Sequence, residues 1–161
     1  MEFKTEIEHN KTYTYECDAT FGTLSQDKVN KLFTDGRRAS GFLEIQLEEW
    51  FPNLTFEDGK GYDHVDINDQ KYDAKCFTKG GAKFCSSKYL GVGRSLNVEE
   101  HEAHAANIIY IFTDVVEFPK VQVRFVKGSD LITKYTKGSI PFKDRNVLFA
   151  WLFRRYERVG R

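Results

Sequence analysis

Gly61–Thr78 reads GYDHVDINDQKYDAKCFT, and the rest of the chain is arranged around this stretch. Tyr62–Ile67 and Tyr72–Thr78 each alternate apolar and polar residues, the period of a half-buried strand. Asn68-Asp69-Gln70 between them supplies turn chemistry, so the stretch predicts a β-hairpin. Asp73 and Lys75 are two apart on the second strand and leave the same face. Ala74 and Cys76 point the other way and are small and apolar, as a buried face requires.

The pattern Asp/Glu-x-Lys occurs four times, at Glu2–Lys4, Asp58–Lys60, Asp69–Lys71 and Asp73–Lys75. Only Asp73-Ala74-Lys75 sits within a strand-like alternation preceded by an acidic strand. A carboxylate on such a face can hold a divalent cation, and an ammonium beside it can handle a water or a phosphate oxygen. That combination suits metal-assisted phosphodiester hydrolysis. The bland alternative is an amphipathic hairpin with a solvated face.

The acid that the first strand contributes depends on register. A two-residue loop pairs Asn68 with Lys71 and sets Asp66 opposite Asp73. A three-residue loop pairs Ile67 with Lys71 and puts Asp63 on the Asp73 face. Burial of Val65 and Ile67 with Tyr72, Ala74 and Cys76 favours the first register.

Upstream, Thr12–Glu16 reads as a strand. Ser25 or Asp27 is placed to cap a helix through Phe33, which Asp35-Gly36 ends, leaving Arg37-Arg38 as a basic spot in a connection. Ser40–Phe51 reads as an amphipathic helix stopped by Pro52. Thr55–Lys60 reads as a polar loop. Downstream, Lys79–Lys83 is a turn, Phe84–Leu90 a third strand of the meander, and Val98–Asn107 a helix capped by Ser95 or Asn97. Ile108–Val116 is a continuous apolar run, the mark of a strand buried on both faces. Phe118-Pro119 turns the chain into an alternating strand, Val121–Val126. A short helix follows to Tyr135, and Lys143–Arg158 reads as an amphipathic helix. A buried strand reached through a helix implies a crossover. The expected class is therefore α/β, a mixed sheet flanked by helices.

An acid in a first strand, a short hairpin, then Asp/Glu-x-Lys in a second strand resembles the PD-(D/E)XK nuclease superfamily. The order of helix, meander, helix and core strand resembles its restriction-endonuclease-like fold over about residues 40–125. Asp73 stands where the family more often has glutamate, and Tyr62 where a proline often precedes the first acid. The resemblance implies a magnesium-dependent DNA endonuclease, with Mn²⁺ able to substitute. It implies Asp63 and Asp73 as metal ligands and Lys75 as the group that orients the attacking water. It favours Asp63 over Asp66, because the first acid stands where the strand begins, and a bulge there could re-aim it. It also implies a glutamate on the preceding helix, a place that Glu44 takes. Glu48, one turn further on, reads as a solvated acid.

One domain of 161 residues fits the length, and 40% hydrophobic with 15% aromatic residues permits a core. No apolar run reaches transmembrane length. The charged start MEFKTEIEHNK lacks the apolar stretch of a signal peptide. The three cysteines form no C-x-x-C pair, so a reducing cytoplasm is expected. The 24 basic residues balance 24 acidic ones. That balance counts against non-specific nucleic-acid binding and favours a site-specific, restriction or homing type of enzyme on double-stranded DNA. Cutting both strands implies at least a homodimer. Lys79, Lys83, Lys88, Arg94, Arg37, Arg38 and the arginines of the last helix fit phosphate contacts. His101 and His104 are three apart rather than four, without a third ligand, and read as a solvated helical face rather than a zinc site. Two other readings of the chain remain. One is a non-catalytic nucleic-acid or protein-interaction module on the same fold. The other is a structural subunit whose hairpin acids are only solvated.

Overall fold

The computed structural model describes residues 7, 11–57, 61–85 and 98–148. Its main sheet has six strands: β1 (Thr12–Glu16), β2 (Thr55–Phe56), β3 (His64–Val65), β4 (Lys71–Phe77), β6 (Ile108–Asp114) and β7 (Lys120–Lys127). Their spatial order is β1-β7-β6-β4-β3-β2. β4 and β6 run parallel, and every other neighbouring pair is antiparallel. The parallel pair requires a crossover, and helix α3 (Val98–Ala106) lies between the two strands in sequence. The expected α/β class with a mixed sheet is what the chain forms.

Residues alternate along β4 and sort the core into two layers. Tyr72, Ala74 and Cys76 join Ala39, Leu43 and Leu47 of helix α2 (Gly36–Trp50). Phe77 joins Ala105 of α3, Leu131 of helix α4 (Gly128–Lys134), and Tyr110 and Phe112 of β6. β6 is buried along its whole length, as its continuous apolar run predicts.

Several local expectations change. Helix α1 (Gln26–Phe33) takes Ser25 as its cap, but Asp35 caps α2 rather than ending α1. The Asp35 carboxylate accepts from the Arg37 backbone N–H at 2.9 Å and binds both arginine side chains. Arg37 and Arg38 therefore stand in a helical first turn, not in a connection. Thr55-Phe56 is a strand, not loop. It exists because Glu48 Oε2 accepts from Phe56 N at 2.6 Å while Phe56 pairs with His64. The meander is thus β2-β3-β4. Ala82–Lys83, expected as the end of a turn, is a strand (β5), and it pairs with β8 (Ser139–Ile140) outside the main sheet. Most of Phe84–Leu90 lies outside the described residues, as do Lys88, Arg94 and the arginines of the last helix. Residues 145–148 are helical and begin that last element.

Candidate active site

The hairpin loop is neither two nor three residues long. Val65 pairs with Lys71, so residues 66–70 form the loop. Asp66 closes it: Oδ1 accepts from Asn68 N at 2.8 Å and Gln70 N at 3.0 Å, and Oδ2 accepts from the Tyr72 hydroxyl at 2.8 Å. Asp69 completes the reversal with φ of 65°, a left-handed conformation that aspartate tolerates. Ile67, expected to be buried, is 68% exposed in this loop.

At the other end of β3 the ladder departs from its register. Tyr72 pairs with His64, yet its carbonyl accepts from Asp63 N at 2.9 Å. Ala74 N then donates to the Asp63 carboxylate, Oδ2, at 2.8 Å, where a strand carbonyl would ordinarily accept. The Asp63 carbonyl accepts from Glu57 N on the outer side. Asp63 thus joins three segments, and its side chain is laid along β4. Burial raises its pKa above the usual carboxylate value, and the Asp73 charge adds to this. The Ala74 hydrogen bond and the Lys75 and His64 charges oppose it. Asp63, Asp73 and Lys75 therefore share one electrostatic neighbourhood.

Asp73 is buried, not solvated. Its Oδ2 accepts from His104 Nε2 at 2.8 Å, with the two side chains 10% and 15% exposed. A carboxylate oxygen accepts, so the ring nitrogen facing it is the one that carries the hydrogen. His101, one turn earlier, is wholly buried against Phe84. Neither of its ring nitrogens has a partner among the described residues. Burial lowers its pKa below the ordinary histidine value. The expected solvated histidine face is thus corrected: α3 turns it inward. The sequence held a signal for this, since His101, His104 and Ala105 are spaced as the inner stripe of a helix.

Glu44 is placed elsewhere. It lies on α2, on the Ala74–Cys76 side of the sheet, where its charge acts on the Cys76 thiol. The charges acting on Asp63 are those of Asp73, Lys75 and His64. The Glu44 carbonyl accepts from His64 Nε2 at 2.6 Å, so this residue braces the back of β3. The Cys85 thiol, pushed up by burial, lies within reach of the Lys83 and Lys75 charges. Among the described residues no three His, Cys, Asp or Glu side chains converge as a metal cage. None of their helices is long and apolar enough to cross a membrane.

No family model, curated protein or solved structure matches this chain.

Proposed function

We propose that the protein is a magnesium-dependent DNA endonuclease with a restriction-endonuclease-like core. The observation that supports it best is the junction of β3 and β4, where the charges of Asp73 and Lys75, which share one strand face, both act on Asp63. The order helix α2, antiparallel meander, helix α3 and parallel strand β6 fits the same reading. Asp63 gives Oδ2 to Ala74 N, and Asp73 gives Oδ2 to His104. One oxygen of each carboxylate has no hydrogen bond from the described residues. Mg²⁺ needs no all-protein cage: it is held by one or two carboxylates and completes its shell with waters and substrate phosphates. The two aspartates fit that demand.

A bound Mg²⁺ supplies Lewis acidity toward the scissile phosphate and a more acidic water. The protein's part is orientation. Asp63 is fixed by the backbone of β4, and Asp73 by α3. Lys75 follows Asp73 on the same strand face and makes no hydrogen bond or ion pair among the described residues. Its ammonium is available to orient the attacking water and to offset charge at the phosphate. Lys79 and Lys83, beside the β4–β5 turn, supply phosphate contacts on a duplex. Cleavage of both strands takes a dimer, and the balanced net charge favours a site-specific enzyme.

The protein-interaction reading has its own observation. Phe21 and Phe42 are 75% and 67% exposed. They rim an apolar cavity of about 720 Å³ between the segment after β1 and helices α1 and α2. Plasmid cleavage in Mg²⁺, with and without EDTA, separates the two. On the nuclease reading, cleavage requires Mg²⁺ or Mn²⁺ and Ca²⁺ supports binding only. Lys75→Ala abolishes cleavage while leaving folding and DNA binding near wild type. Full activity in EDTA, or near-native cleavage by a folded Lys75→Ala protein, rules the nuclease reading out.

A further inference from the structure

We infer that His104 is a positioning residue for the metal-binding carboxylate of Asp73, an inference that rests on the metal-dependent reading above. The two side chains come from different elements, β4 and α3, and meet through one hydrogen bond of 2.8 Å. Nε2–H is the donor and Oδ2 the acceptor, which leaves Oδ1 as the oxygen available to a cation. The contact is shielded, with 15% and 10% of the two side chains exposed. In such a place a charge-assisted hydrogen bond is stronger than at a wet surface. A carboxylate on a free χ1 and χ2 must be ordered each time a cation arrives. One whose second oxygen is already held does not, and outer-shell partners of this kind orient metal ligands in general.

The helix that delivers His104 is itself fixed. Ala105 is wholly buried. Gly128 begins α4 so close to it that an added Cβ would stand 2.1 Å from the Ala105 carbonyl oxygen. No side chain fits between them, so the end of α3 is clamped onto the start of α4. His104 sits on this clamped turn. His101, on the same helix, is buried without a partner among the described residues, so α3 does not bring a carboxylate to each of its histidines. A plain structural link between α3 and β4 is the competing explanation, and it makes no claim on the cation.

The test is Mn²⁺ binding without DNA, followed by electron paramagnetic resonance on the full chain, for wild type and His104→Ala, His104→Gln and Asp73→Asn. Thermal melts confirm that each variant is folded. Gln places an amide N–H at the reach of Nε2, so His104→Gln should bind Mn²⁺ within about threefold of wild type. His104→Ala should bind about tenfold more weakly or worse, and its cleavage should recover as Mg²⁺ is raised. Should His104→Ala not fold, His104→Asn takes its place with the same expected loss, because its amide is too short to reach Oδ2. If the folded variant lacking the donor binds Mn²⁺ like wild type while Asp73→Asn does not, the positioning role is wrong and the metal reading stands. If His104→Gln loses as much as His104→Ala, positioning through Nε2 is likewise wrong. If wild type and Asp73→Asn bind Mn²⁺ equally poorly, the metal reading fails and the positioning role with it.

Discussion

Two aspartates flank the two-residue strand β3, and the chain treats them in opposite ways. Asp66 has both oxygens engaged. Its carboxylate accepts from two backbone N–H groups and a tyrosine hydroxyl, all within 3.0 Å. Asp63 accepts one backbone N–H and is otherwise held where burial and a second carboxylate oppose its charge. An acid with both oxygens engaged makes a turn. An acid kept short of partners, beside a lysine, is available to a ligand. The same residue type three positions apart thus divides between structure and chemistry by its hydrogen-bond inventory.

The sharpest way to break that contrast is to neutralise each acid in turn. Asp63→Asn should lower Mg²⁺-dependent cleavage by about a hundredfold or more, the scale for losing one group that acts on transition-state charge. Asp66→Asn should cleave within a few-fold of wild type. It should instead lose roughly 1–3 kcal/mol of stability in urea melts, because charge-assisted bonds in the turn weaken and a donor is left unmatched. If Asp66→Asn is inactive although folded, and Asp63→Asn cuts normally, the assignment of the two residues is reversed.

Stability against pH sharpens the same comparison. The Asp63 carboxyl has a raised pKa in the folded state, so the native protein holds its proton more tightly than the unfolded chain does. Its contribution is complete below the ordinary value of 3.8 and is lost as pH rises through the folded pKa. Asp63→Asn cannot ionise and escapes that loss. It is therefore expected to be more stable than wild type at neutral pH, with the gap closing as pH falls toward 3.8. Urea midpoints for both proteins across that range decide it. A variant less stable than wild type at neutral pH would mean that Asp63 is a structural acid like Asp66.

The contrast also marks how far the sequence could be read. The buried run Ile108–Asp114, the alternation of Tyr72–Phe77 and the Ser25 cap are local signals, and each emerged as an element of the expected type. The opposition of Ala74 and Cys76 to Asp73 and Lys75 follows from the strand period alone. What was hidden depends on partners far along the chain. Thr55-Phe56 is too short to show a period and becomes a strand through Glu48 and His64. Ala82–Lys83 pairs with Ser139–Ile140, which no local pattern announces. Loop length in the hairpin was illegible because Asp66 closes the loop with its side chain, so its extent does not follow from turn residues. For the site, spacing placed Asp73 and Lys75 on one face. It could not say that Asp63 would leave the ladder to bond Ala74. Nor could it say that His104 would cross from α3 to Asp73, or that Glu44 would sit on the far side of the sheet.

The smallest expected effect isolates one bond of Asp66. The Tyr72 hydroxyl donates to Asp66 Oδ2 at 2.8 Å, while its ring is buried and packs edge-on against Phe125. Tyr72→Phe removes the hydroxyl and keeps the ring. The cost should be about 0.5–1.5 kcal/mol, one hydrogen bond's net worth, with cleavage unchanged. Burial, reinforced by the Asp66 charge, raises the Tyr72 pKa above its ordinary 10.0. The wild-type advantage over Tyr72→Phe should therefore be constant from neutral pH to about pH 10, where neither folded nor unfolded tyrosine ionises. Above that it should shrink, as the unfolded chain gives up a proton that the folded protein retains. In the Asp66→Asn background Tyr72→Phe should cost less than it does in wild type, because the bond it removes is already weakened. An equal cost in both backgrounds would mean that the hydroxyl contributes through something other than Asp66. A loss of cleavage in Tyr72→Phe would mean that the turn and the Asp63 site are coupled through Tyr72, whose carbonyl already accepts from Asp63 N.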